Sequence, residues 1–127
     1  MKLGILFSGQ GAQKAGMGLD LYQNIPAYQA TVDQASSILG YDLQEVANDD
    51  AKIKQTAYAQ PAILTMSNAI INALGDALPT PVAGLGLSLG EYSALLASGA
   101  LNFDQAVAII KDRGMSVSYT HLTLPTT

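Results

Sequence analysis

Gly86-Leu87-Ser88-Leu89-Gly90 sets a lone serine between two glycines, after the apolar run Val82-Ala83-Gly84-Leu85 and before Glu91-Tyr92-Ser93-Ala94-Leu95-Leu96. Gly-x-Ser-x-Gly at a strand-to-helix junction is the pattern of a nucleophile elbow. The geometry explains the residue types. A serine held at strained backbone angles projects its Oγ above the sheet. Glycines two positions before and after it remove side chains that would strike the neighbouring strand and helix. The helix that follows turns its N-terminal N–H groups toward Oγ and toward any oxyanion formed there. The same five residues also fit a glycine turn in which Ser88 is a plain helix N-cap. The pattern alone leaves both readings open.

A second motif, Phe7-Ser8-Gly9-Gln10-Gly11-Ala12-Gln13-Lys14-Ala15-Gly16-Met17-Gly18, follows another short apolar run, Leu3-Gly4-Ile5-Leu6-Phe7. Its four glycines let the backbone approach a ligand closely. A phosphate loop fits poorly, because neither G-x-G-x-x-G nor a Gly-Lys-Ser/Thr ending is present.

The elements that must position these motifs follow from periodicity. Residues 3–7 and 81–87 read as buried strands. Residues 26–40 open on Pro26 and end on Gly40, start and stop signals for a helix with Val32, Ala35 and Leu39 on one face. Residues 60–75 repeat the pattern, with a stripe of Ile63, Met66, Ile70 and Leu74 flanked by Leu64 and Ile71. Residues 88–98 form a helix behind Ser88. Residues 102–114 form another, with Asn102 and Gln105 spaced as a capping box and Gly114 as its stop. Strands separated by long helical stretches predict parallel pairing and an α/β fold.

Composition narrows the function classes. The chain has 127 residues, 49% of them hydrophobic and 13% charged, with a net charge of −4. That charge argues against nucleic acid as a partner. The absence of cysteine excludes disulfides and thiolate metal sites and fits a reducing, cytoplasmic compartment. The N-terminal apolar run is too short for a signal peptide, and no stretch is long enough to span a membrane.

Phe7-Ser8-Gly9-Gln10-Gly11-Ala12-Gln13, Gln60-Pro61-Ala62, Gly86-Leu87-Ser88-Leu89-Gly90-Glu91 and Arg113-Gly114 stand in the order and at about the spacing of malonyl-CoA:acyl carrier protein transacylases. Over residues 1 to about 114 the chain resembles the N-terminal part of that family. The resemblance implies an α/β-hydrolase-like acyltransferase domain, with a short parallel sheet flanked by helices and with a ferredoxin-like subdomain missing. It implies that Ser88 carries the malonyl group as an ester. The backbone N–H groups of Gln10 and Leu89 would form the oxyanion hole, and Arg113 would grip the free carboxylate of malonate. A planar guanidinium is suited to that grip, since it can make two parallel hydrogen bonds to a carboxylate. Read without the resemblance, Arg113 is a cation near a helix C-terminus. Malonyl-CoA and acyl carrier protein are the implied partners, and neither a metal nor another cofactor is required.

Two departures stand out. Leu87 occupies the position before the nucleophile where the family usually has histidine. The family's general-base histidine lies far downstream, and His121 matches no family position. His121 belongs to the uncharged, threonine-rich segment 116–127, which reads as a non-native or disordered tail, with residues 1–115 as the acyltransferase fragment. Three rivals stay open: a polyketide-synthase-type acyltransferase, an α/β-hydrolase serine esterase, and a non-catalytic truncated fragment. An esterase for neutral esters has no use for a carboxylate clamp, so Arg113 and the glycine loop argue against it.

Overall fold

The structure, a computed structural model, describes residues 4–7, 11–75, 83–86 and 102–120, with side chains for 11–75 and 102–112. Strand β1 (Gly4–Phe7) lies in parallel beside β2 (Ala83–Gly86), with Gly4 opposite Ala83 and Phe7 opposite Gly86. Parallel neighbours need a long crossover between them. Among the described residues it contains five helices: α1 (Leu19–Asn24), α2 (Pro26–Leu39), α3 (Leu43–Asn48), α4 (Asp50–Ile53) and α5 (Thr56–Leu74). Helix α6 (Phe103–Thr120) follows β2.

Helix α5 is the centre of the helical layer, with α2 and α6 packed against it. Its buried residues include Ala59, Ala62, Ile63, Leu64, Thr65 and Ala69. Tyr28, Val32, Ala35 and Leu39 face it from α2, and Ala106, Val107 and Ile110 belong to the same core on α6. The alanines have no side chain beyond Cβ, which lets large neighbours such as Tyr28, Leu64 and Ile110 be fully buried between helices.

Several local expectations change. The helix expected at 60–75 begins at Thr56 and carries Pro61 inside it. Tyr58 and Ala59 donate their N–H groups to the Gln55 carbonyl, at 3.1 and 2.8 Å, so the first turn closes ahead of the proline. The Tyr58 ring packs edge-on against Tyr41 with centroids 5.4 Å apart. An interior proline costs a helix about 3 kcal/mol. Complete burial of the Pro61 ring offsets part of that. Gly114 does not stop α6, which runs on to Thr120. A glycine inside a helix costs only about 1 kcal/mol, and no proline or further glycine follows before Thr120 to end a helix already propagating. The first five residues of the segment read as a tail, 116–120, are therefore helical. The helix expected at 88–98 and the remainder of that segment lie outside the described residues.

Helices α1, α3 and α4 were not anticipated. Helix α3 starts where Asp42 Oδ1 accepts the Glu45 N–H at 3.1 Å, and α4 where Asp49 Oδ1 accepts those of Ala51 and Lys52 at 3.0 Å. Both are aspartate N-caps. At the start of α6, Asn102 Oδ1 accepts the Gln105 N–H at 2.8 Å.

Gly18 is the tightest point of the crossover. It precedes α1 at φ +75°, and a Cβ placed there would run into the Tyr28 hydroxyl and the Met66 methyl. Gly18→Ala should therefore destabilise the chain by about 2–4 kcal/mol, from left-handed backbone strain and overpacking combined. Urea denaturation followed by circular dichroism would measure the loss. Gly40→Ala shares the positive φ but meets no neighbour within 4 Å, and it should cost only about 1–2 kcal/mol.

Candidate active site

In the parallel pair, β1 and β2 end in register at Phe7 and Gly86, so the chain leaves both strands at the same end. Gln10 comes three residues after Phe7, and Ser88 two residues after Gly86. Gln10, Ser88, Leu89 and His121 lie outside the described residues. Arg113 falls on helix α6, and its side chain lies outside the described ones.

The segment after Gln10 is described from Gly11 onward, and the helical layer fixes it at several points. Gly11, at φ +110°, donates its N–H to Gln13 Oε1 at 2.7 Å, which closes a turn directly behind Gln10. The Gly16 N–H donates to the Ala47 carbonyl at 3.0 Å. Gln44 on α3 donates from Nε2 to the Met17 carbonyl and to Asn48 Oδ1, each at 3.1 Å. Gln44 is itself buried. A buried amide that donates to a loop carbonyl fixes that loop more firmly than a solvated one would, because water cannot replace it. Sequence reading missed this anchor. Its only local signal was Asp42, a good N-cap residue three before Glu45.

Gln60, of the Gln60-Pro61-Ala62 motif, lies in the buried early part of α5. The α5 register puts Ile63 in the core and Met66 against it, while Ile70 and Leu74 are 45% and 46% exposed. The predicted stripe is thus half core and half surface. Between the glycine segment and α5 is an open cavity of about 210 Å³, walled by Ala12, Met17, Leu21, Ile63, Met66 and Ile70, with Gly18, Tyr28 and Ser67 completing it.

Among the described residues three tyrosines are perturbed. Burial pushes the Tyr28 and Tyr41 phenols up to about 12, and the hydrogen bond to Asp33 raises Tyr22. Tyr22 donates its hydroxyl to Asp33 Oδ1 at 2.7 Å, so ionising Tyr22 would set two negative charges side by side. Among the described residues no helix is long and apolar enough to cross a membrane.

Residues 5–122 match the acyl transferase domain family. A malonyl CoA-acyl carrier protein transacylase of Staphylococcus aureus (strain MRSA252) is 41% identical over 115 residues, 89% of this chain and 37% of that protein. The crystal structure of MCAT from Streptococcus pneumoniae superposes with a TM-score of 0.89 at 48% identity, over 94% of this chain and 39% of that one. A type II PKS acyl-carrier protein in complex with its malonyl-transacylase gives a TM-score of 0.89 at 34% identity, over 98% of this chain and 40% of the matched chain. The chain thus spans well under half the length of these relatives, and over that span its fold is theirs.

Two outcomes follow from the geometry. Gln44→Ala removes both donated bonds and should cost about 1–3 kcal/mol. Hydrogen exchange should show faster exchange at the Gly16 amide in that variant, while amides in the middle of α2 stay as protected as before, apart from the global loss. The second outcome concerns alkaline pH. The folded-state pKa values of Tyr28 and Tyr41 lie above the unfolded value of 10.0, so their contribution to stability is complete below pH 10. It is lost as pH rises from 10 to about 12, because the unfolded chain releases these protons first. Tyr28→Phe should make the fall in urea midpoint across that window shallower.

Proposed function

The chain belongs to the acyl transferase domain family, and from that premise we propose that the protein it represents moves a malonyl group from coenzyme A to the phosphopantetheine thiol of acyl carrier protein in fatty acid synthesis. The observation that carries this reading is the Gly86-x-Ser88-x-Gly90 motif beginning at the last residue of β2, beside the strand whose exit leads to Gln10. Open parallel sheets bind ligands at the carboxyl ends of their strands. The 41% identity to a protein named for the same transfer supports the reading.

The chemistry assigns each residue a task. Ser88 Oγ attacks the thioester carbonyl of malonyl-CoA and loses its proton to a general base. The oxyanion that forms is held by the backbone N–H groups of Gln10 and Leu89. Collapse breaks the C–S bond, the coenzyme A thiolate takes up the proton, and malonyl remains on Ser88 as an ester. The phosphopantetheine thiol then attacks that ester by the same steps, which regenerates the serine hydroxyl. Arg113 pairs with the free carboxylate of malonate and so favours malonyl over acetyl. The general base is the histidine of the family, whose position His121 does not match, and the site of action is the cytoplasm. A polyketide role is the second reading, favoured by the 34% identity to a malonyl-transacylase solved with a type II PKS acyl-carrier protein.

Radiolabelled malonyl-CoA tests the assignment. In the full-length protein the label should be retained on a gel and lost in Ser88→Ala. Arg113→Ala should lose about 2–5 kcal/mol of malonyl transfer while transfer of neutral acyl groups is kept. Equal losses for malonyl and acetyl would make Arg113 structural. The 127-residue chain alone should take up little label, because a serine without its base retains only the assistance of the oxyanion hole and binding. Stoichiometric labelling of it would show that the elbow alone suffices for the first half-reaction.

A further inference from the structure

One side chain closes the turn behind Gln10. Gly11 donates its N–H to Gln13 Oε1 at 2.7 Å. Only the oxygen of the Gln13 amide can accept it, so the side chain's orientation is fixed by the bond. Packing does not hold this point. A Cβ built on Gly11 would meet nothing within 4 Å beyond its chain neighbours. Its φ of +110° is open to glycine and strained for other residues, so glycine is needed there for backbone shape. The far end of the segment is held differently. The Met17 N–H donates to the Lys14 carbonyl at 3.2 Å, the Gly16 N–H donates to the Ala47 carbonyl, and Gln44 holds the Met17 carbonyl. Gln13 directly precedes that anchored turn. Its side chain reaches back from fixed ground to a peptide that packing leaves loose.

That peptide matters because of its neighbour. The Gly11 N–H lies in one plane with the Gln10 carbonyl. The peptide plane on the other side of the Gln10 α-carbon carries the Gln10 N–H, the oxyanion donor of the proposed reaction. Two torsions of Gln10 join the planes. A peptide that precedes glycine turns over at little cost, because glycine accepts either sign of φ. Turning over would loosen the direction of the Gln10 N–H. An oxyanion donor has to point at the charge before the charge appears, and a misplacement of about 1 Å costs up to about a hundredfold in rate. The bond to Gln13 also occupies the Gly11 N–H and so removes it from competition for the oxyanion.

We infer that Gln13 is a positioning residue for the oxyanion hole: its Oε1 locks the Gln10–Gly11 peptide and thereby aims the Gln10 N–H. The inference rests on the proposed serine chemistry at Ser88, and not on which acyl group the serine carries. Gln13 acts through the backbone and touches no reacting atom in this role.

The test uses the full-length protein and two readouts. One is malonyl transfer. The other is labelling of Ser88 by a fluorophosphonate, in which Oγ attacks phosphorus, fluoride leaves and the phosphonyl oxygen makes the same demand on the oxyanion hole whatever the natural acyl group. Gln13→Met keeps the length of the side chain and loses the acceptor. It should slow both reactions by about tenfold to a hundredfold. For malonyl transfer the fall should lie in kcat, with KM for malonyl-CoA within about twofold of the parent, because the oxyanion exists only in the transition state. The bond is solvent-exposed, so the urea midpoint should not move. Gln13→Glu keeps an acceptor oxygen at the same reach, and in about 0.3 M salt, which screens its charge, it should stay within about threefold of the parent. No loss in Gln13→Met, a loss confined to KM, or an equal loss in Gln13→Glu overturns the inference. A parent that takes the fluorophosphonate on Ser88 but transfers no malonyl refutes the proposed substrate, and Gln13 is then judged on labelling alone. A parent that does neither overturns both.

Discussion

Gly18 has no room for a side chain, and much of the molecule is arranged around that fact. A Cβ built on it would strike the Tyr28 hydroxyl and the Met66 methyl, and its backbone angle is one that L-residues with side chains rarely adopt. This contact brings the segment leaving β1 down onto α2 and α5 together. A bulkier residue would lift the segment off both helices. The close approach also holds Tyr28 fully buried, with its hydroxyl lacking a hydrogen-bond partner among the described residues. An unpaired buried hydroxyl costs about 1–3 kcal/mol, which burial of the ring repays in the same core.

From that contact the anchoring spreads outward. Gln44 and the Ala47 carbonyl, both on α3, hold the Met17 carbonyl and the Gly16 amide. Helix α3 is itself tied to α2, since Ser36 Oγ accepts the Leu43 N–H at 2.9 Å. The glycine segment is therefore held by two hydrogen bonds from a helix that lies between two longer ones. Such support suits a loop whose neighbouring amides are proposed to receive a developing negative charge. Preorganised donors do not have to reorient when the charge appears.

The uneven burial of α5 carries a lesson about reading amphipathic helices. A stripe of apolar residues shows that a face is to be covered. It does not show by what. Ile63 and Leu64 are buried in the core that includes residues of α2 and α6, whereas Ile70 and Leu74 are partly exposed. One sequence pattern thus describes two different environments, and only coordinates separate them.

Much of the element order was legible from the residues themselves. Pro26 and Gly40 bracket α2 as start and stop signals should, and Asn102 caps α6 through its side chain, because these effects act within one turn. The strands run within the expected ranges for the same local reason, as short apolar runs ahead of glycine-rich sequence. The motif order and its family were legible too. Other features depended on contacts far apart in sequence. Pro61 reads as a helix start, yet a turn closed by Gln55 and packed through Tyr58 on Tyr41 sets the start earlier. Gly114 reads as a stop, yet the helix continues through it to Thr120. No periodicity could reveal that Gln44 reaches the Met17 carbonyl 27 positions away, or that Gly18 lies against Met66. Local propensities are worth about a kilocalorie per residue, and burial outweighs them wherever the two conflict. The sequence by itself therefore determined the motifs, their order and most of the helices, while tertiary structure decided where helices begin and end, which half of an apolar stripe is core, and what holds the glycine segment in place.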